Sequence, residues 1–264
     1  MNIVDLTLQD YVVFILCLLR MGGIVVFAPF FGGEDFPRLV RIGFAVFLSI
    51  LAFPYASATL DASLPLSTGV LLGLAAREIF VGLVFGFATS LVFAGIQLGG
   101  ELVGQQIGFS LANIIDPMLE EEVGMISFFK FMLAVVVFLS LNLHLVILQF
   151  LVGSYAVVGL GGAVLRVEML EHVLGMFGQI WTAAVQVGGP VILVILLVSV
   201  VEGMLSRTMP QLNIVVIGLP LRTLVGLLAL SLAARPIVRS MAWLCRQMVG
   251  DVEYLVGYLA PLPA

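Results

Sequence analysis

Long apolar runs separated by short polar or turn-forming stretches set the pattern of this chain, and six of them can be traced. Tyr11 to Phe31 is long enough to cross a membrane as a helix, which takes about 20 residues, yet it carries Arg20 in mid-run and then Gly22-Gly23. Ile42 to Ala56 is short and closes around Pro54, which makes it nearer a buried core helix than a span. Ile79 to Leu98 is free of charge, follows Arg77-Glu78 and continues into a glycine-rich stretch, so the helix it predicts is too long for one straight crossing. Phe131 to Leu151 is interrupted by Asn142 and His144. Gly175 to Val201 contains Gln179, Gln186 and Gly188-Gly189-Pro190, and the glycine-proline step predicts a break. Ile214 to Ala234 contains Gly218, Pro220 and Arg222, and the turn-former Met209-Pro210-Gln211 lies between these last two runs. Breaks at membrane depth need protein or water to satisfy the freed backbone groups. Half of these runs therefore predict neighbours.

The stretch Gly95 to Val123 departs from that pattern. As a helix it puts Gly100, Gly104 and Gly108 on one ridge and Gln97, Glu101 and Gln105 on the next, because four residues advance a helix one turn plus about 40°. A glycine ridge lets a second backbone come close, either within the chain or across a subunit interface. Beyond Phe109 the helical signal fades. Ser110, Asn113 and Asp116-Pro117 favour turns, interleaved with Leu111, Ala112, Ile114, Ile115 and Met118, and Glu120 to Glu122 follow. The prediction is a close-packing helix that feeds a mixed apolar and acidic loop.

Arg235 to Tyr258 mixes arginines and acids with Trp243, Tyr254 and Tyr258, an amphipathic helix suited to a membrane edge or a partner groove. Composition then fixes the class. The chain is 62% hydrophobic and 10% charged, with a mean hydropathy of +1.23, whereas about a quarter of residues are charged in soluble domains. An all-α integral membrane protein is expected. The net charge of −5 is thinly spread and offers no basic patch for nucleic acid. Cys17 and Cys245 make no disulfide framework. Asp5 and Asp10, with no cation before the first run, are unlike a signal peptide, and no cleavage is expected. The cations near loops divide evenly, Arg38, Arg41, Lys130 and Arg207 against Arg166, Arg235, Arg239 and Arg246, so charge gives no orientation.

Catalytic signatures are absent: no zinc-protease helix, nucleophile elbow, phosphate loop or paired-cysteine motif, and His144 and His172 stand alone. Neither catalysis, a metal nor a cofactor is expected. Charge at membrane depth carries more information, since it costs roughly 2.5 to 3.5 kcal/mol at a helix centre. Arg20, Glu202 and Arg222, with Arg77 and Glu78 nearer a helix end, either pair within the fold or meet another subunit or a water-filled path.

Two motifs carry a resemblance. GGELVGQQIGFSLANIIDP (Gly99 to Pro117) and RTMPQLNIVVIGLPLR (Arg207 to Arg222) resemble the FliR family of type III secretion export gates, and its flagellar branch more than its virulence branch. The likeness runs along the whole chain, through Arg20 with Ala28-Pro29, Pro37-Arg38-Leu39-Val40-Arg41 and Asn142 to Leu145. It implies helical hairpins, a FliP-like part over 1–172 and a FliQ-like hairpin with the amphipathic tail over 173–264. It also implies one copy in a gate for unfolded flagellar subunits, closing a ring of FliP and FliQ, with FlhB and FlhA as further partners. The gate would sit in the bacterial inner membrane at the flagellar basal body and extend to its periplasmic side, so that not every apolar helix crosses lipid.

In that family the loop matching Ile107 to Val123 forms a plug, which assigns the role to Ile107, Gly108, Phe109, Ser110, Leu111, Ala112, Asn113, Ile114, Ile115, Asp116 and Pro117. Gly100, Glu101, Gly104, Glu202, Pro210, Gln211, Asn213, Gly218, Pro220 and Arg222 are expected at packing surfaces or interfaces. The alternatives are the virulence homologue, a secondary transporter with a midplane site at broken helices, and a purely structural membrane scaffold. Against a transporter, the two halves lack a matching pair of broken segments.

Overall fold

A computed structural model describes residues 8–27, 37–59, 67–109, 124–164, 166–209 and 214–260. Eight helices make up these residues: α1 (Leu8–Phe27), α2 (Arg38–Ser57), α3 (Thr68–Ile107), α4 (Met125–Ser140), α5 (Leu143–Val158), α6 (Val167–Thr208), α7 (Ile214–Leu232) and α8 (Ala234–Leu259). The chain is an all-α membrane protein. Among the described residues, α1, α2, α3 and α6 are each long and apolar enough to cross a membrane, and α4 with α5 and α7 with α8 meet both conditions only as bent pairs.

Four expectations change. The second run is no short buried helix, because α2 starts at Arg38, has 20 residues with Pro54 inside it, and only 28% of its apolar window is buried. Helix α3 starts at Thr68 and runs for 40 residues, so Arg77 and Glu78 lie inside it. The fourth run is two helices, divided at Asn142, whose φ of 55° is left-handed, a conformation Asn tolerates better than most residues. Gly188-Gly189-Pro190 does not break α6, a single helix of 42 residues, and Pro220 lies within α7. Proline is tolerated in membrane helices because neighbouring groups satisfy the carbonyl it leaves free.

The chain forms two compact units, the first of Met1–Leu91, Asn142–Met176 and Gln247–Ala264, the second of Val92–Leu141 and Phe177–Arg246. In the first unit α1 buries Val13, Leu16, Cys17, Arg20, Met21, Ile24 and Val25, a stripe at three- and four-residue spacing. Helix α1 packs on α2, and α2 on α5. Against α3 the backbones nearly touch: a Cβ added at Gly23 would stand 2.9 Å from the carbonyl carbon of Gly82, and one at Gly86 would stand 2.6 Å from Phe27 Cβ. Arg20 and Glu78 precede Gly23 and Gly82 by about one turn each. The close crossing thus brings the two charges side by side.

In the second unit α3 presents two glycine ridges. Gly95 and Gly99 face α6, where a Cβ on Gly99 would meet Ala184 O at 2.7 Å and one on Gly188 would meet Gly99 O at 2.9 Å. Gly100 faces α4, its added Cβ 2.6 Å from Ser127 Cα. Ser127 Oγ donates to Gln97 O at 2.8 Å. Further along the same pair, Phe93 meets Phe131 and Phe138 edge-on, with centroids 6.0 and 5.7 Å apart, the favourable arrangement for two ring quadrupoles.

Candidate functional site

In the first unit the buried charges form a closed network. Arg20 Nε donates to Glu78 Oε2 at 2.5 Å, and Nη2 donates to Glu78 Oε1 and Gly159 O, both at 2.9 Å. Nη1 donates to Ser154 Oγ at 2.9 Å, and the guanidinium carbon lies 4.0 Å from the Tyr155 ring centroid. Gly161 N donates to Glu78 Oε1 at 2.7 Å, while Arg77 Nη1 donates to Gly161 O at 2.8 Å. Gly159 and Gly161 have φ of 64° and 68°, where a side chain would be strained, and that turn is what aims their backbone groups at the ion pair. Arg20 and Glu78 are both 0% exposed. Bidentate contact between opposite charges, with hydroxyl, amide and ring partners, offsets much of the desolvation cost of such depth. The network joins α1, α3, α5 and the turn after α5.

The second unit gathers the other residues singled out from sequence. Gly100 and Gly104 both turn toward α4, but an added Cβ at Gly104 would find its nearest atom, Ile126 Cβ, at an ordinary 3.7 Å. Glu101 is exposed and its Oε1 accepts from Gln105 at 3.3 Å. Helix α3 ends at Ile107, fully buried and close to Gly226 of α7 and Ile195 of α6. Gly108 follows with φ 101° against Leu219, and Phe109 N bonds Gly104 O at 3.2 Å. Glu202 of α6 and Arg222 of α7 form an ion pair of 2.5 Å, supported by Arg222 Nε donating to the same Oε2 at 2.7 Å. Gly218 leaves room for that carboxylate, since a Cβ there would come within 2.9 Å of Glu202 Oε1. Pro220 lies two residues before Arg222 within α7. Ser110 to Pro117, Glu120 to Glu122, Pro210, Gln211 and Asn213 lie outside the described residues.

Lys130 corrects the even division of loop cations, because it is 1% exposed within α4. Its Nζ donates to Val187 O at 3.1 Å and Gly99 O at 3.4 Å, the carbonyls that the α3 and α6 glycines bring close. Sequence reasoning missed this site, as it missed Gly95, Gly99, Ser154 and the Gly159–Gly161 turn. For Lys130 the signal was available in its setting between Phe129 and Phe131, an improbable loop neighbourhood.

Comparison with known proteins decides what the arrangement belongs to. The family of bacterial export proteins, family 1, matches residues 11–248. The chain belongs to that family. It is similar to the flagellar biosynthetic protein FliR of Bacillus subtilis strain 168, 31% identical over 97% of this chain and 98% of the relative. FliR of Escherichia coli strain K12 is 28% identical, over 93% and 92%, and FliR of Aquifex aeolicus is 25% identical, over 86% and 87%. Such coverage from end to end, together with the apolar helices, makes this chain a membrane-embedded component of the flagellar type III export apparatus. The names of these relatives favour the flagellar over the virulence branch, and membership removes the secondary transporter.

Proposed function

We propose that this chain is one copy in a hetero-oligomeric, protein-conducting gate that passes unfolded flagellar subunits across the bacterial inner membrane. In this reading it closes a ring of FliP and FliQ, contacts FlhB and FlhA, reaches to the periplasmic side and performs no catalysis. Residues 1–172 form its FliP-like part and 173–264 its FliQ-like hairpin. The observation that carries the reading is α6. Its 42 residues extend about 63 Å at 1.5 Å per residue, twice the roughly 30 Å of hydrocarbon, and only 28% of its apolar window is buried. Exposed Val167, Leu174, Trp181, Leu193, Val200 and Met204 spread over about 55 Å of that length, more apolar surface than one lipid crossing covers. Partner helices supply the remainder.

Co-expression tests this. Expressed alone, the chain should be degraded or aggregate, whereas FliP and FliQ chains should recover it in one complex. Stable, monodisperse chain without them would overturn the gate reading.

The plug belongs to the same proposal. Ile107 and Gly108 anchor its base on α7, and the apolar side chains from Leu111 to Ile115 would seal the conduit without the permanence of a packed helix. Deleting Ser110 to Ile115 should leave the complex assembled but the membrane permeable to small ions. An assembled deletion complex in a tight membrane would return that stretch to an ordinary loop.

A further inference from the structure

Helix α8 carries a row of cations that the other described residues leave unmatched. Arg235, Arg239 and Trp243 follow one another at four-residue steps and Arg246 comes three later, so all four share one exposed stripe. Ile237, Met241, Leu244, Cys245 and Met248 occupy the opposite, buried face. No acidic residue occurs from Ala234 to Gly250. None of the three arginines has an ion-pair or hydrogen-bond partner among the described residues, whereas Arg20, Arg77 and Arg222 all do. At the middle of the stripe a shallow cavity of about 320 Å³ is lined by Gln186, Arg239, Ser240 and Trp243. Each of these side chains offers an N–H or O–H donor, and no carboxylate lines the cup. The turn of α6 before Gln186 exposes Trp181 and Val185, at 65% and 64%.

We propose that this face binds the phosphate of anionic phospholipid headgroups, seated in the Gln186, Arg239, Ser240 and Trp243 cup, with Arg235 and Arg246 meeting neighbouring headgroups. Converging donors of mixed type suit the several oxygens of a phosphate better than one planar carboxylate, and guanidinium forks pair with phosphate in two-point contacts. Indole rings favour the headgroup level of a bilayer, and the apolar side chains on α6 supply a surface for an acyl chain. A nucleic acid would need many more cations than a chain with 11 Lys and Arg and a net charge of −5 provides. The proposal is independent of the plug and of the ring of partners.

The test uses the whole export complex, purified with native lipid and then exchanged into nanodiscs of phosphatidylcholine with or without phosphatidylglycerol. Phosphatidylglycerol retained per complex, counted by mass spectrometry, should fall about fivefold for Arg239→Gln, the weight of one arginine at an anionic surface, and further for the triple change of Arg235, Arg239 and Arg246 to Gln. Arg239→Lys should restore only part of it, since lysine keeps the charge but not the two-point contact, and excess inorganic phosphate should not displace the lipid. Should Arg239→Gln fail to assemble, Ser240→Ala and a photo-crosslinking residue at position 243 in the parent complex keep the question open to refutation. Crosslinks should then fall on phosphatidylglycerol. Unchanged lipid counts in the variants, displacement by inorganic phosphate, or crosslinking only to an acidic protein segment would each overturn the proposal.

Discussion

Arg20 in the first unit and Lys130 in the second are both removed from solvent, at 0% and 1% exposure, yet their surroundings differ in kind. Arg20 is met by side chains: a carboxylate, a hydroxyl and an aromatic face, with one carbonyl in addition. Lys130 is met by two main-chain carbonyls alone, and no carboxylate lies within ion-pair distance among the described residues. In one unit a glycine crossing serves to bring two charges together. In the other a cation fills the gap that a glycine crossing leaves. The difference teaches that charge inside an apolar bundle can be a fastening or a filler, and that the two should respond oppositely to removal.

The largest effect should come from breaking the fastening on one side. Arg20→Met strands Glu78 at 0% exposure, and removing one partner of a buried pair costs about 3–5 kcal/mol. Protease-resistant chain in membranes should fall to a small fraction of the parent level. Arg20→Met combined with Glu78→Leu removes both charges and should recover much of that loss, leaving Gly161 N without its acceptor and Gly159 O without its donor as the residual deficit. Equal damage from the single and double changes would show that shape, rather than charge, is what the network contributes.

A smaller effect should come from the glycine crossings. Gly99→Ala drives a methyl to 2.7 Å from Ala184 O, a backbone atom that cannot turn aside, and overpacking of this sort costs about 1–3 kcal/mol. Gly104→Ala is the control, because its nearest neighbour would stand at 3.7 Å and Ala gains up to about 1 kcal/mol in helix propensity. Thermal midpoints of the purified complex should move down for the first and stay or rise for the second. A matching drop in both would mean that the ridge toward α4 also meets a partner chain.

How much of this was legible in the sequence depends on range. The 100–104 ridge follows from spacing along one helix, and Arg20 stood out because a lone cation in an apolar run is costly. Glu78 stood out as well, but not as the partner of Arg20, because the two are 58 positions apart and nothing local ties them. The ridge of Gly95 and Gly99 was hidden by its neighbour, since both ridges run through one glycine-rich segment and only packing says which faces α6. Gly188-Gly189-Pro190 misled for a physical reason. Local turn propensity is set in water, and in an apolar environment the backbone groups of α6 have no better option than the helix. Most of the loop expected to act as a plug, from Ser110 onward, lies outside the described residues.

The Glu202–Arg222 pair stands between the two extremes. Glu202 is 6% exposed at its side chain but Arg222 is 36% exposed, so water screens the pair and can reach the carboxylate once the guanidinium is gone. Arg222→Gln should therefore cost about 1 kcal/mol, nearer the range of exposed pairs than of buried ones. A loss as large as that of Arg20→Met would mean that a partner chain covers Arg222 in the assembled complex. Labelling of Arg222→Cys by a water-soluble thiol reagent in the assembled complex would separate the two cases.

The smallest effect, and the one whose sign matters most, belongs to Lys130→Met. The ammonium's contact with Val187 O is an ordinary 3.1 Å, while that with Gly99 O is 3.4 Å, beyond the usual 2.7–3.2 Å range of an N–H···O bond. Both carbonyls belong to residues inside long helices, where each already accepts from the amide four residues on, so removing the lysine orphans neither. What the ammonium loses by burial is several kcal/mol of hydration, with no opposite charge to offset it. Methionine fills nearly the same volume with an unbranched, adaptable chain. The substitution should leave the thermal midpoint of the complex within the equivalent of about 1 kcal/mol, unchanged or raised, because the filler keeps its shape and sheds its charge. Lys130→Ala, which opens a cavity between α3, α4 and α6, should be clearly worse than Lys130→Met, and that ordering isolates volume from charge. If Lys130→Met instead lowers stability as far as Arg20→Met does, the lysine is a fastening after all, and its counter-charge comes from another subunit of the export apparatus.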